Sequence, residues 1–139
     1  MIWHAEVLKM IQKFIDELST YKDSDTYENQ FINEIQRNNL YLYLSEMVKI
    51  KPTIMLLGEA PGYLGCKLTG IPFTDENILN SNKFVPGNGQ YKTYGMQKED
   101  SATAIWQVFE ETNFMSLLWN SFPFHPHKKG LVSSNRTPK

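Results

Sequence analysis

The apolar run Ile54-Met55-Leu56-Leu57 constrains this chain most, because it breaks at once into Gly58-Glu59-Ala60-Pro61-Gly62. Apolar residues without polar alternation read as a strand over Thr53 to Leu57, buried on both faces of a parallel sheet. Glycine and proline then turn the backbone out of the sheet. In an open α/β sheet the crevice at the carboxyl ends of the strands is where a ligand sits. Glu59 is the one acid in that loop. Phe73 follows soon after, in Thr69-Gly70-Ile71-Pro72-Phe73. A second apolar run, Met115 to Trp119, ends the same way, in Asn120-Ser121-Phe122-Pro123-Phe124-His125-Pro126-His127.

Helical periodicity surrounds these runs. Trp3, Val7, Met10, Ile11, Phe14, Ile15 and Leu18 recur at three and four and predict a helix over 2–20. A second helix is expected over about 28–48, on Phe31, Ile32, Ile35, Leu42, Leu44 and Val48, before Pro52 stops it. Asp100 or Ser101 caps a third, running to about Thr112. Strand, helix, strand over about 53–120 implies a βαβ crossover with parallel strands. Glu59 and Asn120 then face one crevice. Residues 58–100 have no convincing period beyond one short helix near Asp75 to Leu79, so they read as an active-site loop. Lys83, Tyr91, Lys92 and Tyr94 in that loop suit either phosphate contact or plain solubility.

At 139 residues the chain fits a single domain, residues 1–139. An apolar share of 41% excludes a disordered composition, and a net charge of −1 excludes a global basic footprint for nucleic acid. Local charge is left to do that work, and the last fifteen residues carry Lys128, Lys129, Arg136 and Lys139 with no acid. The one cysteine, Cys66, forms no intramolecular disulfide and no cysteine cluster; it reads as a structural loop thiol. No stretch approaches the roughly 18 apolar residues of a membrane helix, and no signal sequence opens the chain, so a cytoplasmic protein is expected.

Gly58 to Gly62, Thr69 to Thr74, Asn120 to His127 and Asn135 to Pro138, in that order, resemble the uracil-DNA glycosylase superfamily. The similarity is to the branch whose first motif reads Gly-Glu-Ala-Pro-Gly. The resemblance implies a three-layer α/β/α fold with a short parallel sheet. It also implies hydrolysis of the N-glycosidic bond of uracil in DNA, initiating base-excision repair. Many members of that branch hold an iron–sulfur cluster on four cysteines. With Cys66 alone, no cluster, metal or other cofactor is expected here. The superfamily sheet has four strands and a last His-Pro-Ser-like motif, neither of which is complete in this sequence, so the chain reads as truncated after the second strand.

The chemistry assigns roles. Uracil must leave the stack and enter a pocket, its departing anion must be stabilised, and a water must be held against the anomeric carbon. Asn120 offers one acceptor and two donors in fixed geometry, which suits the N3–H and O4 of uracil. The resemblance makes it the base-reading residue. Phe73 suits stacking on the extruded base. Gly58, Ala60, Pro61 and Gly62 line the pocket. Glu59 is the candidate for orienting water or stabilising the cationic sugar, since Ala60 stands where uracil-specific relatives carry that acid. Gly62 leaves room where such relatives place a tyrosine against thymine's methyl, which points to relaxed base selectivity. His125, His127, Lys128 and Arg136 are the candidate DNA contacts. Two histidines around Pro126 lack further ligands at metal-binding spacing. No lysine stands where a Schiff-base lyase would need one.

Two other readings follow from the same residues. Ala60 and the missing last motif fit a catalytically inactive member that binds nucleic acid or a nucleotide. A plain nucleotide- or phosphate-binding α/β domain fits the glycine-rich loop, although no Gly-x-x-x-x-Gly-Lys pattern is present.

Overall fold

In the computed structural model, which describes residues 2–81, 86–87 and 90–139, the first predicted helix is α1, Ile2–Ser19. The second differs from expectation. Residues 28–48 do not form one helix. Tyr27–Glu28 make a short strand β1, Gln30–Ile32 a single 3-10 turn, and α2 begins at Glu34 and ends at Ile50. Asn29 is the reason. Its Oδ1 accepts from Phe31 N at 2.9 Å, while Nδ2 donates to the carbonyls of Leu18 and Tyr21 at 2.8 and 2.7 Å. Such local side-chain bonding offers the backbone an alternative to helix. Lys51 then closes α2 in the left-handed conformation, φ 54°, directly before Pro52.

The parallel pair is formed by β2, Met55–Gly58, and β3, Leu117–Asn120, in the register Met55↔Leu117 to Gly58↔Asn120. The chain between them holds α3, Cys66–Thr69, α4, Glu76–Ser81, and α5, Asp100–Thr112. A last strand β4, His125–Pro126, runs antiparallel to β1. The protein is thus a small α/β fold, with one parallel strand pair among the described residues.

β2 is not buried on both faces as its sequence predicts. Ile54 and Met55 are 54% exposed and Leu57 57%. The reason lies in the pairing: among the described residues β2 is bonded on one side only, to β3. The carbonyls of Ile54 and Gly58 accept from Leu117 N and Ser121 N at 2.9 and 2.8 Å. By alternation, the backbone groups of Met55 and Leu57 point to the free edge. The outer edge of β3 is covered, because Tyr43 of α2 accepts from Leu118 N at 2.8 Å through its buried hydroxyl. Burial pushes that phenol well above its ordinary pKa.

The core lies between α1, α2, α5 and β3, on Ile15, Phe31, Leu40, Tyr43, Ile71, Trp106 and Leu118. The irregular stretch after α4 is strapped to this frame by buried polar side chains. Glu76, 1% exposed, accepts from the backbone N–H groups of Tyr94, Gly95 and Gln97. Asn39 of α2 brackets Lys92, accepting from its N–H and donating to its carbonyl. Of the candidate phosphate contacts in this stretch, Lys83 lies outside the described residues. Tyr91 is half-buried, and Tyr94 donates its hydroxyl to Gln36.

Among the described residues no helix is long and apolar enough to cross a membrane. Among the described residues no group of three or more His, Cys, Asp or Glu side chains is placed to hold a metal ion.

Candidate functional site

Gly58 and Asn120 end the paired strands side by side, as the βαβ reading requires. A Cβ on Gly58 would stand 2.5 Å from Asn120 Oδ1 and 2.6 Å from Phe73 Cζ. Contacts that short are essentially never tolerated, so the absent side chain is what lets amide and ring converge. Asn120 is 4% exposed, and its side chain lies near the sulfur of Cys66. Burial first, and the nearby Glu99 second, push the Cys66 thiol far above its ordinary pKa, so it is a wall of the site and not a nucleophile.

Phe73 is held in a left-handed backbone conformation, φ 53°. A bulky residue there is a true outlier, of the kind that clusters at functional sites. Its neighbours impose it. Trp106 Nε1 of α5 donates to Phe73 O at 3.1 Å and to Thr74 Oγ1 at 3.0 Å. Thr69 Oγ1 donates to Thr74 O at 2.7 Å from the other side.

These residues enclose a niche of about 100 Å³ lined by Gly58, Glu59, Ala60, Gly62, Cys66, Phe73, Glu99, Ser101 and Asn120. The Phe73 ring and the Asn120 amide are both among its walls. A second hollow, about 300 Å³, opens beside it and is lined by Glu59, Ala60, Pro61, Gly62, Pro126, Asn135, Arg136 and Thr137. Glu59, Ala60 and Gly62 belong to both, so the loop after β2 is the sill between niche and groove.

The C-terminal segment holds that sill in place. Phe122 N donates to Glu59 O at 2.9 Å, and Asn135 Oδ1 accepts from Tyr63 N at 2.8 Å. His125, fully buried, has Nδ1 2.9 Å from Pro61 O and Nε2 3.0 Å from Val132 O. His127 is 4% exposed, with its Nδ1 on Lys128 O. Both histidines proposed as DNA contacts are thus buried, His125 with its two ring nitrogens against backbone carbonyls and His127 with Nδ1 against one. Lys128 stays exposed. Arg136 donates to the carbonyls of His127 and Thr26 at 3.1 and 3.3 Å while lining the groove.

Glu99 is the site residue that sequence reasoning missed. It occupies the N-cap position of α5 without capping it; its N–H donates instead to Asp75 Oδ2 at 2.8 Å. Its carboxyl turns into the niche, where a Cβ on Gly62 would overlap Oε1 and a Cβ on Gly65 would overlap Oε2. The room expected at Gly62 is thus already filled. Burial, then the charges of Asp75 and Asp100, hold the Glu99 carboxyl above the usual carboxylate range, against a hydrogen bond from Ser101 that pulls it down. The available signal was the pair Gly62 and Gly65, two missing side chains on one turn.

The chain matches no family model, no curated protein sequence and no solved structure.

Proposed function

We propose that this protein is a DNA glycosylase that hydrolyses the N-glycosidic bond of uracil in DNA, built on the three-layer α/β/α plan of that superfamily. The observation that carries the reading is the convergence of Asn120 Oδ1 and the Phe73 ring over Gly58. An amide reads the polar edge of a pyrimidine while an aromatic ring covers its face. A base seated there places its sugar over the sill, at Glu59, and its phosphate in the groove at Arg136.

The chemistry then divides among named groups. Glu59, exposed at the junction of niche and groove, orients the attacking water towards the anomeric carbon. Asn120 holds the base as negative charge develops on it. Lys128 and Arg136 supply the local positive charge that the chain as a whole, at net charge −1, lacks.

The test is base release from an oligonucleotide carrying one uracil, read by alkaline cleavage of the abasic product, with Asn120→Ala in parallel. Release by the parent chain, reduced about 100-fold or more in the variant, is the expected result. Tight binding to uracil-containing DNA without release identifies instead a member that binds and does not cleave. Thermal stabilisation by a free nucleotide, with no DNA binding, discards both.

A further inference from the structure

Hydrolysis of an N-glycosidic bond asks for a group at the leaving base as well as one at the water. Glu59 answers the second need.

The niche holds a second carboxyl, and its setting is the opposite of the first. Glu59 lies on the exposed sill, while Glu99 is half-buried behind it. The Glu99 oxygens are seated where Gly62 and Gly65 have no side chains. The carboxyl shares the niche with Asn120 and Phe73, the residues that would hold the base. Its backbone is fixed by Asp75, which also caps α4 through Ile78 N at 2.8 Å.

We propose that Glu99 is the catalytic acid of this site, donating its carboxyl proton to the base as it leaves. The proposal rests on the reading of the niche as a base pocket. In the step, water adds to the anomeric carbon and the carbon–nitrogen bond breaks, its electron pair passing to the base. The Glu99 proton moves to the base, and Glu59 takes a proton from the water. The products are a neutral base and an abasic sugar; solvent then returns a proton to Glu99 and removes one from Glu59.

Two carboxyls in unlike surroundings are the usual solution to paired acid and base work. The groups facing Glu99 all favour its protonated form except Ser101. Asp75 and Asp100 repel its charge, the Cys66 thiol stays neutral, and burial outweighs the Ser101 hydrogen bond. Glu59 lines the same niche.

The experiment compares the full chain with Glu99→Gln and Glu99→Ala on uracil and on 5-fluorouracil in the same oligonucleotide, across pH. All three proteins are first matched by circular dichroism and melting. The expected result is a loss of about 100-fold or more in single-turnover rate on uracil. The loss shrinks on 5-fluorouracil, which leaves as a more stable anion and needs less help. The alkaline fall of the parent's pH profile disappears in Glu99→Gln. A Glu99→Gln protein that keeps the parent's rate and alkaline fall overturns the proposal and leaves the reading of the site standing. A parent chain that releases neither base overturns both.

Discussion

Gly58 and Asn120 are register partners at the carboxyl end of the parallel strand pair, and the hydrogen on Gly58 is all that fits beneath the Asn120 amide and the Phe73 ring. This makes Gly58→Ala a sharp probe. The backbone at Gly58 is not left-handed, so alanine brings no conformational strain of its own. It brings one methyl that must displace Asn120 Oδ1 or Phe73. Overpacking of this kind costs about 1–3 kcal/mol. The expected outcome is a stable protein with a modestly lowered melting temperature and base release reduced far more than that change accounts for. Equal losses in both would assign Gly58 to packing alone.

Trp106 is the hinge on which Phe73 depends. Replacing it with phenylalanine keeps most of the ring and its edge-on contact with Phe109 but removes the N–H shared by Phe73 O and Thr74 Oγ1. Leaving buried acceptors unmatched costs about 1–3 kcal/mol. Trp106→Phe is therefore expected to lower stability by that amount in denaturant titration. Release of the left-handed turn should weaken uracil binding as well.

How much of this was legible beforehand follows from the physics of each signal. The two strand ends, Glu59, Asn120 and Phe73 stand beside glycine, proline and unbroken apolar runs, which are local and strong. That the two strands run parallel, so that Gly58 and Asn120 lie at one edge, follows from strand, helix, strand. Asn29 gave no comparable warning, because its effect comes from carbonyls of Leu18 and Tyr21 that only the fold brings near. The exposure of Met55 and Leu57 was hidden for a like reason: an apolar run states what a strand suits, not which neighbours it has. His125 looked like a surface ligand because sequence shows its polar ring and not the Pro61 and Val132 carbonyls beside it. Glu99 lay in a stretch without period, distant in sequence from both motifs it joins.

Glu76 organises that stretch. Its carboxylate receives three backbone N–H groups, from Tyr94, Gly95 and Gln97. Glu76→Gln keeps the shape but turns one acceptor oxygen into a donor that meets N–H groups head-on. Hydrogen bonds to a charged group are worth about 1.5–3 kcal/mol, so a loss of that order is expected in chemical unfolding. Amide exchange of residues 94–97 should rise well before that of α2. Uniform exchange across the chain would show that Glu76 does not hold this segment separately.

The free edge of β2 makes a separate prediction. Ile54 to Leu57 present apolar side chains on a strand whose outer backbone groups have no partner among the described residues, the arrangement that invites edge-to-edge pairing. A lysine at Met55 places charge on that edge, three residues before Gly58. Met55→Lys is expected to raise the concentration at which the protein stays monodisperse in light scattering, with base release unchanged. An unaltered association behaviour would mean that the edge is not where copies meet.

Glu99 ties stability to pH with a definite sign. Its folded-state pKa is raised, chiefly by burial and then by Asp75 and Asp100. The folded protein therefore holds the proton more tightly than the unfolded chain. The stabilising contribution of the neutral carboxyl is complete below the ordinary carboxylate range. It is lost as pH climbs through the raised value, because the folded state must then carry a half-buried charge. The parent should lose stability across that window on the alkaline side of the ordinary glutamate range. Glu99→Gln, which cannot ionise, should be flat there relative to the parent. The check is denaturant unfolding of both proteins at closely spaced pH. Parallel curves would mean that the Glu99 carboxyl ionises alike in both states, and would remove the electrostatic basis for its work as an acid.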